Sequence, residues 1–490
     1  MMEIVEKQIF AACKWAHQPG YQAMDASTIS EADLDGNAFA FKVINDDVSA
    51  AGIRCFSLQE KKDSDAQMTE DIRLHLEIYR HFPRICSIVH VFSPKLMYFS
   101  LLGESIPVYS KRHALVWPDE IRCIGASGDE GQDPVSSVIS ALEKTEINSR
   151  GIFLLDHNGA VVWDETPIKA IEAARNFEKI AAEAWSIQSA AKGKVRPLSP
   201  EQIRKYAEEK TEEDFLSAQR GKPGTEVTVK QLRNINLQML EYFDSVCRQN
   251  GIRYSLTGGT LLGAVRHGGM IPWDDDVDVF LTRPEYEKLQ AVFPDNEQYE
   301  FITRQKDPKF NYVFGRVIDK RTMVRYSPNT AAAGKGLSLD VCVVDGLPDS
   351  NRAIKKHLIH MRLLVRFRRA TIQNPKGKRY REKGPVVVFL KRILCKVTSI
   401  DYWNRRIEKQ MSKYPFDGGQ WVGNFTSQYG SRELLHKSVF DDYYDVRFEN
   451  LTCMICSGYD EYLTNIYRNY LSFPAKKKQV GHHICNAYWV

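Results

Sequence analysis

The segment of residues 257–281 constrains this chain more than any other, because a glycine pair precedes four closely spaced aspartates. It reads TGGTLLGAVRHGGMIPWDDDVDVFL, with Gly258 and Gly259 near its start. Side chains alternate between the faces of a strand, so Asp276 and Asp278 are predicted to point the same way while the valines beside them point into the core. Two close carboxylates repel each other unless a cation lies between them, and oxygen ligands of this type suit Mg²⁺ or Mn²⁺.

The glycine pair distinguishes a phosphate site from a simple acidic loop. Only glycine lets backbone N–H groups approach a phosphate closely. The alternative interpretation is an acidic loop that leads into an edge strand. The sequence favours a metal-assisted phosphate site that contains Gly258, Gly259, Asp276 and Asp278.

A third acid lies in an apolar segment further along the chain. Residues 337–344 alternate so that Ser338, Asp340 and Cys342 share one face of a predicted strand. A lone acid there is costly to bury unless it is paired or binds a metal. Three carboxylates from two neighbouring strands would hold one or two Mg²⁺ ions. The alternative is that Asp340 only accepts backbone hydrogen bonds at the end of a sheet.

The chain is long enough for more than one core. Its 490 residues predict two or more domains. A polar, helix-prone stretch over 195–220 is followed by GKPGT, which breaks the chain. We therefore expect one domain over 1–220, a linker over 221–227 and a second domain over 228–490.

Composition and cysteine usage indicate where the protein works. The net charge of +5 is mild, and we expect no nucleic-acid partner. Ten scattered cysteines fit a reducing compartment, and the pair Cys453 and Cys456 is predicted to be structural because no second pair completes a zinc site. The first residues do not resemble a signal peptide, and no apolar run reaches the roughly 18 residues needed to span a bilayer. We expect a cytoplasmic protein.

The most basic part of the chain is the segment 352–396, with fifteen Lys or Arg and a single acid, Glu382. The plain interpretation is a solvated charged face. The functional interpretation is peripheral docking on the inner face of an anionic membrane or on a lipid-linked acceptor, to which each basic residue adds about 1 kcal/mol.

The motifs GGTLLGAVRH, IPWDDDVDV, LDV and DGLP occur in an order that resembles the LicD-type phosphocholine transferases. The resemblance covers about residues 228–490. It implies the nucleotidyltransferase fold shared with fukutin-related ribitol-phosphate transferases, a mixed sheet with flanking helices. It also implies Gly258 and Gly259 as the phosphate-loop glycines, and it implies three ligands for Mg²⁺ or Mn²⁺, namely Asp276, Asp278 and Asp340.

The same resemblance extends to basic residues and to the reaction. Arg266 and His267 match a family Arg-His pair and are expected to contact the donor phosphates, the alternative being a surface loop pair. Arg316 stands where members usually have Lys, which keeps the charge although the two side chains bind phosphate differently. The implied activity is transfer of a phosphorylated alcohol, often phosphocholine, from a cytidine diphosphate donor to a cell-surface glycan or glycolipid precursor, such as lipopolysaccharide or teichoic acid.

Residues 70–190 resemble class II aldolase/adducin-type domains, which have an α/β fold. The motifs HLEIYRHFP, SIVH, LLGESIP and LLDHNGAVVW carry this resemblance. The metal-binding histidine pair of the family reads VHVF here, so His90 is present but Phe92 occupies the second position. His157 matches the later histidine. The resemblance implies a vestigial metal site at Asp71, His90 and His157, since Phe offers no lone pair.

Two further losses point the same way in this first half. The acid of the epimerase branch falls near Leu115, and the phosphate-binding segments have no clear counterpart around residues 25–55. We expect a non-catalytic domain that serves as a homo-oligomerising platform. The alternatives are a bifunctional enzyme whose N-terminal domain also acts on a sugar phosphate, and a scaffold in which both domains only bind.

Overall fold

The computed structural model describes most of the chain. The described residues are 2–18, 27–33, 38–44, 52–59, 68–125, 133–145, 147–191, 195–218, 221–308, 310–325, 336–372, 398–427, 429–481 and 486–490. They form two compact units, which confirms the predicted two-domain α/β organisation. Unit 1 comprises Met1–Asp214, Val265–Gly269 and Leu471–Pro474, and unit 2 comprises Phe215–Ala264, Met270–Tyr470 and Ala475–Val490.

Unit 1 is a seven-stranded sheet with helices, in the order β3-β2-β1-β4-β7-β6-β5. Its strands are β1 (Thr28–Ala32), β2 (Ala38–Val43), β3 (Arg54–Ser57), β4 (Ser87–Val91), β5 (Cys123–Ile124), β6 (Gly151–Leu155) and β7 (Ala160–Asp164). Its helices are α1 (Met2–Ala16), α2 (Glu70–His81), α3 (Pro94–Leu102), α4 (Lys111–Val116), α5 (Pro134–Glu143), α6 (Pro167–Ala191) and α7 (Pro200–Ala218). The β5–β6 pair is parallel, and the other pairs are antiparallel.

Local sequence explains how unit 1 places its polar residues. Helix α2 begins after Thr69, whose side chain accepts a hydrogen bond from the N–H of Ile72. The β6–β7 hairpin turns where predicted, through His157 and Gly159, both with positive φ (58° and 72°). Its strands and β4 are fully buried, so the apolar runs of the sequence form the centre of the sheet.

Unit 2 is built on a mixed sheet. The strands run β10-β11-β13-β9-β8, and β14 and β15 continue from the end of β13. The strands are β8 (Ser255–Leu256), β9 (Asp278–Thr282), β10 (Tyr299–Ile302), β11 (Gly315–Asp319), β12 (Thr322–Arg325), β13 (Ser338–Gly346), β14 (Trp421–Gly423), β15 (Leu434–His436), β16 (Tyr443–Phe448), β17 (Leu451–Cys456) and β18 (Asn486–Trp489). The helices are α8 (Val229–Gln249), α9 (Gly258–His267), α10 (Arg283–Val292), α11 (Asn351–Ile372), α12 (Ile400–Met411) and α13 (Tyr459–Tyr467).

Strand β13 lies at the centre of this sheet and sets the register of the acids. It pairs antiparallel with β11 and parallel with β9, so Arg316, Asp340 and Asp278 stand side by side across three strands. The predicted alternation of β13 is confirmed, since Leu339, Val341 and Val343 are buried. The sequence Asp345-Gly346 after this alternation predicts a turn, and that prediction is wrong. Both residues extend β13, because Asp345 is fully buried against the guanidinium of Arg283.

The beginning of unit 2 is well defined by capping. Thr228 and Gln231 form a capping box at the start of α8. The sequence predicts this helix from about Val229 to Gln249, with Asn250 and Gly251 as its stop, and the structure confirms it. Residues 221–227, predicted as a linker, bond to the C-terminal strand. The N–H of Val227 donates to the carbonyl of Ala487 at 2.8 Å.

Several other expectations concern single elements. Cys453 and Cys456 are buried, unpaired thiols on β17. Of the basic segment, residues 352–372 lie in α11, and 373–396 fall outside the described residues. No helix in the described part of the chain combines the length and the apolar character that crossing a membrane requires.

Candidate active site in unit 2

The glycine turn lies at the start of α9. Gly258 has φ of +56°, a left-handed conformation that glycine adopts without strain. Its N–H donates to the hydroxyl of Tyr462 at 3.3 Å, and that hydroxyl also bonds to Oγ1 of Thr257 at 2.6 Å. Tyr462 is almost fully buried on α13. Tyr462, which is distant in sequence, therefore holds the first residue of the turn in place.

The acidic loop packs directly against this turn. A Cβ atom on Gly259 would come within 2.3 Å of Oδ2 of Asp274, and one on Gly258 would lie 3.7 Å from Oδ2 of Asp278. The N–H of Asp278 donates to Oγ1 of Thr260 at 2.9 Å, which ties the loop to the helix. Gly259 is thus needed because a carboxylate occupies the space that a side chain would fill, whereas Gly258 is needed for its left-handed backbone.

The structure gathers the predicted acids in part. The carboxylates of Asp274, Asp275 and Asp276 have oxygens within 4.8 Å of one another and are half-buried. Of these, sequence reasoning selected only Asp276 as a ligand. The run of three aspartates was itself the available signal for the other two. Among the described residues, this is the group of three acids, histidines or cysteines whose spacing could hold a metal ion.

Asp278 is the acid on which burial and the repulsion of the neighbouring carboxylates act together. Burial raises the pKa of Asp278 well above its ordinary value, and the charges of Asp276, Asp340 and Asp274 raise it further. Arg316 lowers this pKa but does not compensate. Several carboxylates crowd one cation here, an arrangement that a divalent metal ion would relieve. The donor set therefore fits Mg²⁺ or Mn²⁺ chemically.

Asp340 has a protein partner of its own. The guanidinium of Arg316 contacts both carboxylate oxygens, at 2.7 Å from Nε to Oδ1 and 2.8 Å from Nη2 to Oδ2. The same guanidinium lies over the ring of Tyr312, 3.7 Å from its centroid. The expected alternative, an acid that accepts only backbone hydrogen bonds, is wrong, because the partners of Asp340 are the side chains of Arg316 and Ser338.

Arg266 and His267 are placed at the end of α9, in the part assigned to unit 1. Both are buried, so the alternative of a surface loop pair is wrong. The guanidinium of Arg266 lies 4.8 Å from the centroid of Phe473 and donates to the carbonyl of Ser472 at 3.0 Å. His267 packs edge-on against the same phenyl ring. These contacts give the pair a packing role, and contact with donor phosphates stays a prediction.

Sequence reasoning missed two titratable residues near the site, namely Tyr467 on α13 and Glu433, whose charge acts on Tyr462. Burial and Tyr429 raise the pKa of Tyr467, and the nearby Asp274 and Asp278 raise it as well. Glu433 is buried, and burial raises its pKa to about 7. Its Oε2 has no hydrogen-bond partner within the described ranges. No spacing in the sequence links Tyr467 to the acids, since only the packing of α13 brings it near them.

In unit 1 two members of the predicted vestigial site, His90 and Asp71, are joined by a hydrogen bond. Nδ1 of His90 lies 2.9 Å from Oδ1 of Asp71, and its Nε2 lies 2.6 Å from the carbonyl oxygen of Asn158. Both ring nitrogens of His90 are therefore occupied by hydrogen-bond contacts within unit 1. Burial raises the pKa of Asp71, but the hydrogen bond and charge of His90 outweigh it and hold that pKa below its ordinary value.

The other members of the predicted vestigial site do not join this pair. His157 is exposed and bonds to its neighbour Asp156 at 2.8 Å. Phe92 packs on the imidazole of His90 with ring centroids 4.5 Å apart. Asp71, His90 and His157 therefore do not form a metal-ligand cluster within the described residues. This geometry speaks against the bifunctional alternative.

Comparison with known proteins now places both units. The family described as "LicD/FKTN/FKRP, nucleotidyltransferase domain" matches residues 251–373, and the family "Class II Aldolase and Adducin N-terminal domain" matches residues 7–185. The lipopolysaccharide cholinephosphotransferase LicD of Haemophilus influenzae is 30% identical over 275 residues, which are 54% of this chain and 98% of that protein. The chain belongs to the LicD family. Both predicted resemblances are confirmed, and this LicD-family chain carries an aldolase-like domain before its transferase-family domain.

Two solved structures resemble the aldolase-like half of this LicD-family chain. An L-fuculose 1-phosphate aldolase is 16% identical and has a TM-score of 0.34; the match covers 43% of this chain and 96% of the aldolase. YgbL of Escherichia coli, described as a putative aldolase/epimerase/decarboxylase, is 17% identical, covers 42% and 100%, and has a TM-score of 0.34. Both are too distant to bear on what unit 1 does.

Proposed function

We propose that this LicD-family chain transfers phosphocholine, or a similar phosphorylated alcohol, from a cytidine diphosphate donor to a cell-surface glycan or glycolipid precursor. The observation that carries the proposal is the contact of the glycine turn with the acids, where Asp274 fills the space beside Gly259. The printed name of the Haemophilus influenzae relative supports choline phosphate as the group and lipopolysaccharide as the acceptor.

The proposed cofactor is Mg²⁺ or Mn²⁺. Asp276 and Asp278 would hold it, with Asp274 beside them. When bound, such an ion neutralises phosphate charge and lowers the barrier to attack by a hydroxyl. Asp340 is proposed as the third carboxylate, which requires that Arg316 release it and turn to the donor phosphates. The short distance between these two side chains makes that exchange a local movement.

The residues of α9 supply the other part of the phosphate site. The first N–H groups of a helix have no partner within the helix and favour anions. The N–H of Gly258 is already bound to Tyr462, so Gly259 and Thr260 are the proposed donors to phosphate. In the reaction, the acceptor oxygen bonds to the phosphorus of the alcohol phosphate, the pyrophosphate bond breaks, and cytidine monophosphate leaves.

The experiment that tests the proposal is mass spectrometry of the products formed by the full chain with Mg²⁺. The donors are cytidine diphosphate choline, ribitol and glycerol, each with a deacylated lipopolysaccharide core as soluble acceptor. We expect a core heavier by one phosphorylated alcohol, together with cytidine monophosphate. Absence of any modified core with all three donors, from protein shown to be folded, would reject the proposal.

A further inference from the structure

The helix α11 presents two different faces. Its inner face packs on α12, where Met361 and Leu364 join a buried cluster with Trp403 and Ile407. Its outer face carries large apolar side chains that remain exposed, namely Ile359 (57%), Leu363 (44%) and Phe367 (40%). Residues four apart stack along one side of a helix, so these three form a continuous stripe, which we call the α11 stripe.

Basic side chains surround the α11 stripe. The exposed residues Lys355, Lys356, Arg362 and Arg366 lie on the same outer face at helical spacing. Residues 351–372 contain no acid. Within the described ranges, no carboxylate lies within ion-pair distance of these four cations. In the described part of the chain, therefore, no carboxylate neutralises the positive charge of this face.

The α11 stripe is also held in a fixed position. Phe367 stacks on Trp403 with ring centroids 5.1 Å apart and an angle of 21° between the planes. On the adjoining helix, Tyr402 is 42% exposed, and Arg406 lies against its ring. An apolar band with an aromatic edge and cations on both sides thus continues from α11 onto α12.

We infer that this outer face docks the protein on the surface of an anionic phospholipid bilayer. Helices that lie in a membrane interface combine an apolar face with flanking Lys and Arg, which meet the lipid phosphates while the apolar side chains enter the headgroup boundary. Charge complementarity selects an anionic partner. The α11 stripe selects a bilayer over a nucleic acid, whose backbone offers phosphates but no apolar layer.

The sequence predicted membrane docking somewhere within residues 352–396, and this inference assigns it to the outer face of α11 and the adjoining part of α12. It does not depend on the proposed transfer reaction, because none of these side chains belongs to the glycine turn or the acid cluster. If the protein binds vesicles but shows no transfer, the docking inference stands and the proposed reaction fails. If it shows transfer but does not bind vesicles, the proposed reaction stands and the docking inference fails.

The test is cosedimentation of the full chain with vesicles of equal parts phosphatidylcholine and phosphatidylglycerol, compared with vesicles of phosphatidylcholine alone. We expect binding to the mixed vesicles only, weakening as salt is added. Ile359→Ser, Leu363→Ser and Phe367→Ser combined should lower the affinity by at least about tenfold at physiological salt. Replacing the four cations by Gln should lower it by roughly fivefold for each charge removed.

A matched control uses exposed apolar side chains elsewhere in unit 2. Val292→Ser, Tyr444→Ser and Val480→Ser combined remove a similar apolar area and should leave vesicle binding unchanged. Thermal unfolding checks that each variant is folded. Wild-type protein that fails to sediment at low salt, or a folded stripe variant that binds like wild type, would overturn the inference. The inference would also be overturned if the protein bound single-stranded RNA but no vesicles. The same holds if the protein self-associated and the three stripe substitutions abolished that self-association.

Discussion

Arg316 binds both carboxylate oxygens of Asp340 across two antiparallel strands. The pair is mostly buried, with the two side chains 13% and 22% exposed. The carboxylate that the LicD resemblance assigns to the metal is therefore engaged by a cation that is part of the protein. If a metal ion binds as proposed, it and the guanidinium of Arg316 would compete for Asp340, and this competition can be measured.

Arg316→Gln removes the internal competitor. In the absence of metal, the variant should lose about 2 to 3 kcal/mol of stability, because Asp340 is left beside Asp278 without a counter-charge. Added Mg²⁺ should raise its Tm more than that of wild type, since binding to the folded state alone stabilises by mass action. Thermal unfolding against Mg²⁺ concentration measures both effects. An equal Mg²⁺ response in the two proteins would show that Asp340 is no ligand.

The acids themselves give the second prediction. Asp276→Asn and Asp278→Asn should each leave less than about a tenth of the transfer rate at saturating Mg²⁺, because each removes a ligand oxygen. Asp278→Asn should also stabilise the metal-free fold, since its raised pKa reports repulsion by neighbouring charges. The control is Asp417→Asn, which changes an acid that is 76% exposed. Transfer above that level in either variant would remove these residues from the site.

The third prediction concerns the space beside α9. Gly259→Ala places a Cβ within 2.3 Å of Asp274, so the carboxylate must move. We expect a fall in kcat of about 100-fold from displacement on the scale of 1 Å. The control is Gly481→Ala, whose Cβ would lie at an ordinary 3.5 Å from Asp275. Steady-state kinetics measures kcat of both variants. Equal kcat values for Gly259→Ala and Gly481→Ala would show that the position of Asp274 does not matter for transfer.

Glu433 should make stability depend on pH. Burial raises its pKa from 4.5 to about 7, so the folded state holds a proton that the unfolded state releases. Stability is then greatest below about pH 4.5 for this group and falls as pH rises through 7. Wild type should therefore lose about 3 kcal/mol of its free energy of unfolding between these two pH values, and Glu433→Gln should not. Urea unfolding at pH 5 and pH 8 measures it, and an unchanged difference between the two pH values would refute the assignment.

The last prediction compares two histidines of unit 1. His90→Ala leaves the carboxylate of Asp71 without its partner and should cost about 3 kcal/mol. His157→Ala, at an exposed turn, should change stability by no more than about 0.5 kcal/mol. Because the pKa of Asp71 is lowered in the fold, the His90 contribution is present near neutral pH and is lost as pH falls through that lowered value. Urea unfolding of both variants measures the contrast.

The hypothesis that unit 1 is non-catalytic and the hypothesis that it is a metal enzyme predict opposite results. Metal analysis of the full chain should find no stoichiometric zinc, and aldolase and epimerase assays should show no turnover. One tightly held zinc per chain, lost in His90→Ala, would restore the bifunctional alternative. Light scattering tests the oligomerising platform separately, and a strictly monomeric full chain would remove that proposal.

The sequence predicted those features that depend on local pattern. Alternation along 337–344 identified the polar face of Asp340, and the breakers Asn250 and Gly251 located the end of α8. The glycine pair and the acids are close together in sequence, so their meeting in space could be anticipated. Each of these depends on the period of a strand or the end of a helix.

Other features depend on how distant segments pair. The contact of Arg316 with Asp340 follows from the register of β11 on β13, which no local pattern specifies. Asp345 was misplaced in a turn because its partner, Arg283, is more than sixty residues away. Tyr462 reaches the glycine turn from 204 positions along the chain. Burial of charged or polar groups by such partners is a property of the tertiary fold.

The row of Arg316, Asp340 and Asp278 has a consequence for how the LicD-family half can vary. A shift of one residue in the pairing of a strand turns its side chains to the opposite face of the sheet. A single insertion within β9, β11 or β13 would therefore move one charge to the other side and break this row of one base and two acids. Natural variation in chain length should concentrate in the connections, while these three strands keep a fixed number of residues.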